Sequence, residues 1–214
     1  MEEIKVMPKP DWVSWDDIHE LLMAAHKRNI QKGMAMRIPQ LSGSELEKKV
    51  GEDGRCFVAM AGEKLIGTTS VRFYKGESWF DRGKLVAHSM LTAVLPKYQG
   101  IGITEDLNEL RNAYINDMKA EVIHGDTAED NVIILKNAKK NGFFNVAYHA
   151  YKSDHYSIIF VKWLGDCPFT EKYINKKFRI SKALTRIQYK LGRIERSKYL
   201  SFICNIIRKK LDIY

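Results

Sequence analysis

Between Val94 and Thr104 the chain reads Val-Leu-Pro-Lys-Tyr-Gln-Gly-Ile-Gly-Ile-Thr, an apolar run that breaks into glycines and then turns helical. Leu85 to Leu95 is dense in β-branched and aliphatic residues and reads as a buried strand. Pro96 cannot extend that strand, and Gly100 and Gly102 permit backbone angles that other residues resist. From Ile103 onward, Leu107, Leu110, Ala113, Tyr114 and Met118 recur at helical spacing. A glycine turn feeding a helix start leaves N–H groups aimed outward with the helix dipole behind them, which is an arrangement that binds phosphate. Gly100, Ile101, Gly102, Ile103 and Thr104 are therefore the candidate phosphate-binding backbone. An ordinary tight turn would use glycines in the same way. No Gly-Lys-Ser/Thr follows, so this is not a Walker loop, and Glu105 stands where a Rossmann loop has its third glycine.

A second stretch, Asn131 to Phe143, reads as a helix with marked ends. Asp126, Thr127 and Asp130 are good caps, Ile134, Leu135 and Ala138 give an apolar stripe, and Lys139 and Lys140 suit the C-terminal dipole. Gly142 is the expected left-handed stop.

In that order, and separated by one helix and one strand, the two stretches resemble the signatures of the GNAT acyltransferase superfamily. There a strand ends in Val-x-Pro, and Gln/Arg-x-x-Gly-x-Gly/Ala then wraps the pyrophosphate of coenzyme A. Gln99, Gly102 and Thr104 fill the three fixed places, the last departing from the pattern with a small β-branched residue. In the second signature an Asn begins a helix that ends at Gly-Phe, here Asn131 and Gly142-Phe143. The resemblance runs from about Trp12 to Leu164 and implies an α/β fold: a mixed, mostly antiparallel central sheet flanked by helices. It further implies acetyl-CoA, or another acyl-CoA, as co-substrate without a metal, and direct transfer of the acyl group to an amine. By the same resemblance Gln99 shapes the turn, Asn131 contacts the coenzyme, and the N–H of Val94 donates to the thioester oxygen.

Such a transfer needs a neutral amine, whose free pKa is about 10.4, so a base or a water chain must take its proton. His88 and His124 are the candidates. His88 shares a face with Met90, Thr92 and Val94 if no bulge intervenes; its alternative is a histidine satisfied by a cross-strand partner. His124 faces either the substrate cleft or, as a loop residue, Asp126. The acid that many superfamily members place four residues before the Gly of Gly-Phe is a Tyr, and here that place is Ala138. Tyr148, Tyr151 and Tyr156 lie near in sequence, Tyr148 being the one carried forward; packing is their alternative role. Glu129 and Asp130 serve the helix dipole. Trp15 and Arg37 are substrate-side candidates, with core packing the alternative for the tryptophans, and the polar insertion 152–156 could carry substrate contacts.

The elements that must position these residues follow from the pattern. Helices are expected at 12–32, 43–50, 103–118 and 130–141. Strands are expected at 55–61, 64–74, 85–95, 121–124, 143–151 and 157–164. The 214 residues carry a net charge of +9, and its distribution is uneven. Residues 169–214 hold 13 Lys and Arg against 3 Asp and Glu, which leaves 22 against 23 for the rest of the chain. The expected division is thus an acyltransferase domain, 1–168, and a basic amphipathic helical tail, 169–214. Ile180, Leu184, Ile187, Leu191 and Ile194 form one apolar stripe in that tail, and Leu200, Ile203, Ile206, Ile207 and Leu211 a second set. Packing on the domain or on a second copy as a homodimer, and contact with an anionic membrane, are both open for the tail. Nucleic acid is not expected, since no reading motif accompanies the charge.

There is no run of 18 apolar residues and no apolar leader near Met1, and Cys56, Cys167 and Cys204 are scattered. The expected location is the cytoplasm, at most peripheral to the inner face of the membrane. A small-molecule amine, such as an amino sugar or an envelope precursor, is the expected acceptor. Two other classes stay open: a non-catalytic acyl-CoA-binding protein, and a membrane or nucleic-acid binding module working through the tail.

Overall fold

Seven strands alternate with five helices in an α/β arrangement, as a computed structural model that describes residues 3–33, 38–150 and 156–192. The strands are β1 (Ile4–Pro8), β2 (Arg55–Ala61), β3 (Lys64–Lys75), β4 (Leu85–Val94), β5 (Val122–Ala128), β6 (Phe144–Ala150) and β7 (Tyr156–Trp163). The helices are α1 (Trp15–Gln31), α2 (Gly43–Val50), α3 (Ile103–Asp117), α4 (Val132–Lys140) and α5 (Glu171–Gly192). The strands form one mostly antiparallel sheet in the order β1-β2-β3-β4-β5-β7-β6. The chain divides into two compact units, one drawn from Met1–Tyr74 and Ala87–Ala120, the other from Lys75–Val86 and Glu121–Tyr214.

In the first unit β2 pairs antiparallel with both β1 and β3, and the β2–β3 turn closes on Gly62 at φ 58°. Both helices that follow β1 begin in a capping box: Ser14 with Asp17 for α1, Ser42 with Glu45 for α2. Val13, just ahead of α1, and the helical residues Ile18, Leu21, Leu22 and Leu46 bury against Cys56, Val58, Met60 and Ala93 of the strands. The opposite face belongs to α3. There Phe57 and Phe73 both meet the Tyr114 ring edge-on, at 6.0 and 5.8 Å. A Cβ on Gly67 would stand 3.2 Å from Leu107 and 3.3 Å from Val94, so β3 and α3 pack closely where they cross and a side chain there would have to push its neighbours aside by a few tenths of an ångström.

In the second unit β7 pairs antiparallel with β5 and β6. The segment before β4 inserts Trp79 and Phe80 into an aromatic cluster with Trp163, Phe169 and Tyr173, and the Trp163 indole donates to the Phe80 carbonyl at 3.1 Å. Helix α5 packs along β6. Its buried positions are Ile174, Ser181, Leu184 and Thr185, while Ile187 is 48% exposed. The face that docks is therefore rotated from the aliphatic stripe that the sequence suggests.

Three further differences from the sequence reading have local causes. Strand β1 is only five residues long, has one polar residue, Lys5, and ends on a proline, so periodicity does not mark it. Strand β5 continues through Asp126 and Thr127, so those residues are strand and not caps; the cap of α4 is Asn131. Trp12 lies ahead of α1 and is 64% exposed. Among the described residues no helix is long and apolar enough to cross a membrane. Ile194 and the apolar set from Leu200 to Leu211 lie outside the described residues.

Candidate active site

The end of β4 hands directly to the glycine turn. The N–H of Leu95 donates to the Ile66 carbonyl on β3 at 2.9 Å. Because N–H groups alternate in direction along an extended strand, the Val94 N–H points to the edge away from β3. Pro96–Tyr98 forms one tight helical turn, and the Gln99 side-chain amide reaches back to the Val94 carbonyl at 2.9 Å, closing the loop on the strand it leaves. Gly100 and Gly102 then adopt left-handed backbone, at φ 81° and 94°. Gly102 is the N-cap of α3 and offers no side-chain cap; the first helical bond runs from the Asp106 N–H to the Gly102 carbonyl at 3.0 Å. The N–H groups of Ile103, Thr104 and Glu105 precede that bond, so no turn of the helix consumes them. A Cβ at either glycine would meet nothing within 4 Å, so the loop has open space where a side chain would stand at Gly100 and Gly102. Ile103 is buried and anchors the helix start, whereas the Thr104 side chain is exposed and does not crowd the loop. Donors, dipole and room together fit a diphosphate.

Three residues before Val94 the strand breaks its pleat. Leu91 is left-handed at φ 53°, in a residue type for which that conformation is strained. Leu91 and Leu95 flank Ala93 on the α1–α2 side, and Thr92 and Val94 turn toward α3. His88, before the break, is bonded instead to Arg72, whose strand neighbours Thr68 and Ser70 face the α1–α2 side with Cys56. The bulge thus intervenes, and His88 does not share the face of Thr92 and Val94. The Arg72 guanidinium donates to His88 Nδ1 at 3.2 Å. A guanidinium can only donate, so Nδ1 is an acceptor and the neutral ring carries its hydrogen on Nε2.

In the second unit His124 is a strand residue, with the Phe80 ring edge-on at 6.3 Å. The Asn131 side chain accepts from the Ile134 N–H and donates to Thr127 at 3.0 Å, so the residue caps α4 and ties it to β5. That helix stops at Gly142, φ 81°, where the Phe143 N–H returns to the Ala138 carbonyl at 3.0 Å. Tyr148 is buried, 1% exposed, and its hydroxyl donates to Glu129. Burial and then the Glu129 carboxylate raise Tyr148 well above the ordinary tyrosine pKa. Burial opposes ionisation of Glu129 itself, but Lys182, the Tyr148 hydroxyl and Arg186 outweigh it and hold its carboxyl below the usual range. Lys182 reaches Glu129 at 2.5 Å and Arg186 at 3.1 Å, and both cations lie over the Tyr148 ring.

The architecture has solved counterparts. No family model matches the sequence, and no curated protein does. A GNAT-family acetyltransferase from Staphylococcus aureus Mu50 superposes with a TM-score of 0.59 at 12% identity, over 76% of this chain and 100% of that one. The ribosomal-protein-S18-alanine N-acetyltransferase of Escherichia coli gives 0.57 at 12% identity, over 78% and 99%. A GNAT-family acetyltransferase from Elizabethkingia anophelis, solved with acetyl-CoA bound, gives 0.54 at 15% identity, over 77% and 100%. The fold is that of the GNAT acetyltransferases.

On this GNAT fold, Val94, Gln99 and the residues from Gly100 to Thr104 come together on one β4–loop–α3 element of the first unit, with His88 on the same strand. Asn131, His124 and Tyr148 belong to the second unit. The sequence reading misses two features of the charged side chains. Glu129 is the hub of an ion-pair network with α5, where the sequence suggests only a partner for a helix dipole. Arg111 of α3 is a buried cation, and its spacing of four from both Leu107 and Ile115 is the signal in the sequence that sets it on the buried face. Arg37, Tyr151 and residues 152–155 lie outside the described residues, and Tyr156 stacks on Tyr148 at 5.1 Å.

Proposed function

We propose that the chain is an acetyl-CoA-dependent N-acyltransferase, with residues 1–168 as the transferase domain and 169–214 as a basic extension of it. The observation that carries this reading is the β4–loop–α3 element: two left-handed glycines, an uncapped helix start and open space, on the strand whose last N–H faces away from β3. The backbone N–H groups of Gly100, Gly102, Ile103 and Thr104 hold the diphosphate, Gln99 pins the turn through Val94, and Asn131 adds a side-chain contact. When bound, the thioester supplies the activated acyl group. The Val94 N–H then donates to the carbonyl oxygen as negative charge grows on it, a role worth roughly 2.7–4 kcal/mol where such donors have been removed from enzymes. We assign the base to His124 rather than His88, because the lone pair of His88 Nδ1 already receives Arg72. Tyr148 serves as acid only if its proton leaves Glu129.

The acceptor we propose is a small-molecule amine, and the tail's positive charge favours one carrying an anionic group, such as an envelope precursor. Titration calorimetry of acetyl-CoA into the full chain, followed by thioester cleavage with a panel of amines, tests the assignment. Micromolar binding with amine-dependent cleavage supports it. Binding without cleavage by any amine would leave an acyl-CoA-binding protein, and absence of binding would leave the loop a structural turn.

A further inference from the structure

Arg111 sits on the sheet-facing side of α3 and is 8% exposed. Its Nη1 donates to Thr69 Oγ1 at 3.1 Å and its Nη2 to the neighbouring Asn112 at 3.2 Å, while Nε is buried with no partner among the described residues. No carboxylate pairs with it among those residues. Burial alone pushes the guanidinium pKa down to about 10, and it stays charged at neutral pH. An apolar side chain of the same length would be cheaper to bury, so stability does not explain the residue. What the guanidinium does hold is a hydroxyl relay. Thr69 of β3 is completely buried, and its Oγ1 lies 2.7 Å from Thr92 Oγ1 on β4. Thr92 follows the left-handed Leu91 directly and precedes Val94 by two residues. Leu91 is neither glycine nor asparagine, so its strained backbone persists only if its surroundings impose it.

We propose that Arg111 is a positioning residue of the acyl-transfer site, holding Thr92 through Thr69 so that β4 keeps its break at Leu91 and Val94 keeps its direction. This rests on the acyltransferase reading for its purpose, but the hold on the strand is measurable without it.

The test compares 15N-labelled full-length chains of Arg111→Met, Arg111→Lys and Thr92→Val with the wild type and with Tyr114→Phe, a control on the same helix. In the free chain, Arg111→Met and Thr92→Val are expected to move the same amides, Leu91 to Val94, well beyond the control. Arg111→Met is expected to melt at or above the wild-type temperature, which a merely structural role would not allow. With the amine that best supports cleavage, turnover at saturating acetyl-CoA should fall about tenfold while KM for acetyl-CoA stays within about twofold, and Arg111→Lys should recover part of it. Unmoved β4 amides in a folded Arg111→Met, or a loss confined to KM, would overturn the proposal. If Arg111→Met does not fold, Thr92→Val decides alone, since it cuts the relay and keeps the cation: shifted amides uphold the proposal and unshifted ones end it. A wild type that binds no acetyl-CoA sinks the acyltransferase reading instead, and the free-chain amides still report whether Arg111 sets the strand.

Discussion

Thr185 Oγ1 donates to the Tyr148 carbonyl at 2.8 Å, and one turn earlier on the same helix Ser181 Oγ accepts from the Tyr148 N–H at 3.1 Å. β6 is the last strand of the sheet, so these main-chain groups point where another strand would otherwise pair. Helix α5 supplies the missing partners from two hydroxyls that are themselves 3% exposed. An edge strand is thereby closed, and the helix is fixed in rotation as well as in place.

Thr185→Val keeps the shape and leaves a buried carbonyl without this donor, so it should destabilise the chain by about 1–3 kcal/mol. Ser181→Ala should cost a similar amount, and the double variant less than the sum, because α5 shifts once either tie is cut. Urea unfolding of the full chain measures this. A loss of only a few tenths of a kcal/mol in both single variants would mean the helix is held by the Glu129 pairs instead.

Gly102 has a sharper signature. Its φ of 94° strains any L-residue, by roughly 1–2 kcal/mol for a left-handed conformation, yet a Cβ there touches nothing. Gly102→Ala should therefore lower stability modestly, whereas Gly102→Glu should remain folded and lose acetyl-CoA binding through charge repulsion and occlusion of the loop. Calorimetry beside a thermal melt separates the two effects, and retained affinity in Gly102→Glu would refute the diphosphate site.

What the sequence discloses here is what local chemistry decides. The strand, proline, glycine pair and helix from Leu85 to Met118 are readable because each residue type enforces its own backbone, and so is the stop at Gly142. Leu91 is not readable, since no glycine, asparagine or proline marks the break; it is imposed by the packing of Leu91 and the bonding of Thr92 on opposite faces. The docking face of α5 is hidden for a related reason. Aliphatic periodicity favours Ile180, Leu184 and Ile187, but two small hydroxyls satisfying β6 turn the helix toward Ser181 and Thr185. Long-range pairs such as Arg111 with Thr69 and Glu129 with Lys182 and Arg186 leave no trace in spacing at all.

His26 on α1 gives a pH dependence with a definite sign. Burial holds its imidazole below the ordinary value of 6.5, so the unfolded chain takes up a proton first as pH falls. The folded state is then at its full stability above pH 6.5 and loses stability as pH drops through that value, until the folded ring titrates as well. His26→Gln should flatten this part of the curve of unfolding free energy against pH, and leave the region above it unchanged in slope. A slope below pH 6.5 equal to that of the wild type would assign the acid sensitivity to other groups.

The Arg72–His88 bond makes the last prediction, and it concerns which imidazole can act as base. With the guanidinium donating to Nδ1, the His88 ring should be locked as the Nε2–H tautomer in the free chain. Long-range 1H–15N spectra of the imidazole distinguish the two nitrogens directly. Arg72→Met removes the donor and should let both tautomers populate. It should also leave amine-dependent thioester cleavage largely intact if His124 is the base, because the freed His88 lies on the α1–α2 side of the strand, away from the face of Thr92 and Val94. His124→Gln should then lower turnover by about 10²–10⁴-fold, the usual contribution of a general base. The opposite pattern, with His88→Gln abolishing turnover and His124→Gln sparing it, would return the role to His88 and require Arg72 to move away when the acceptor binds.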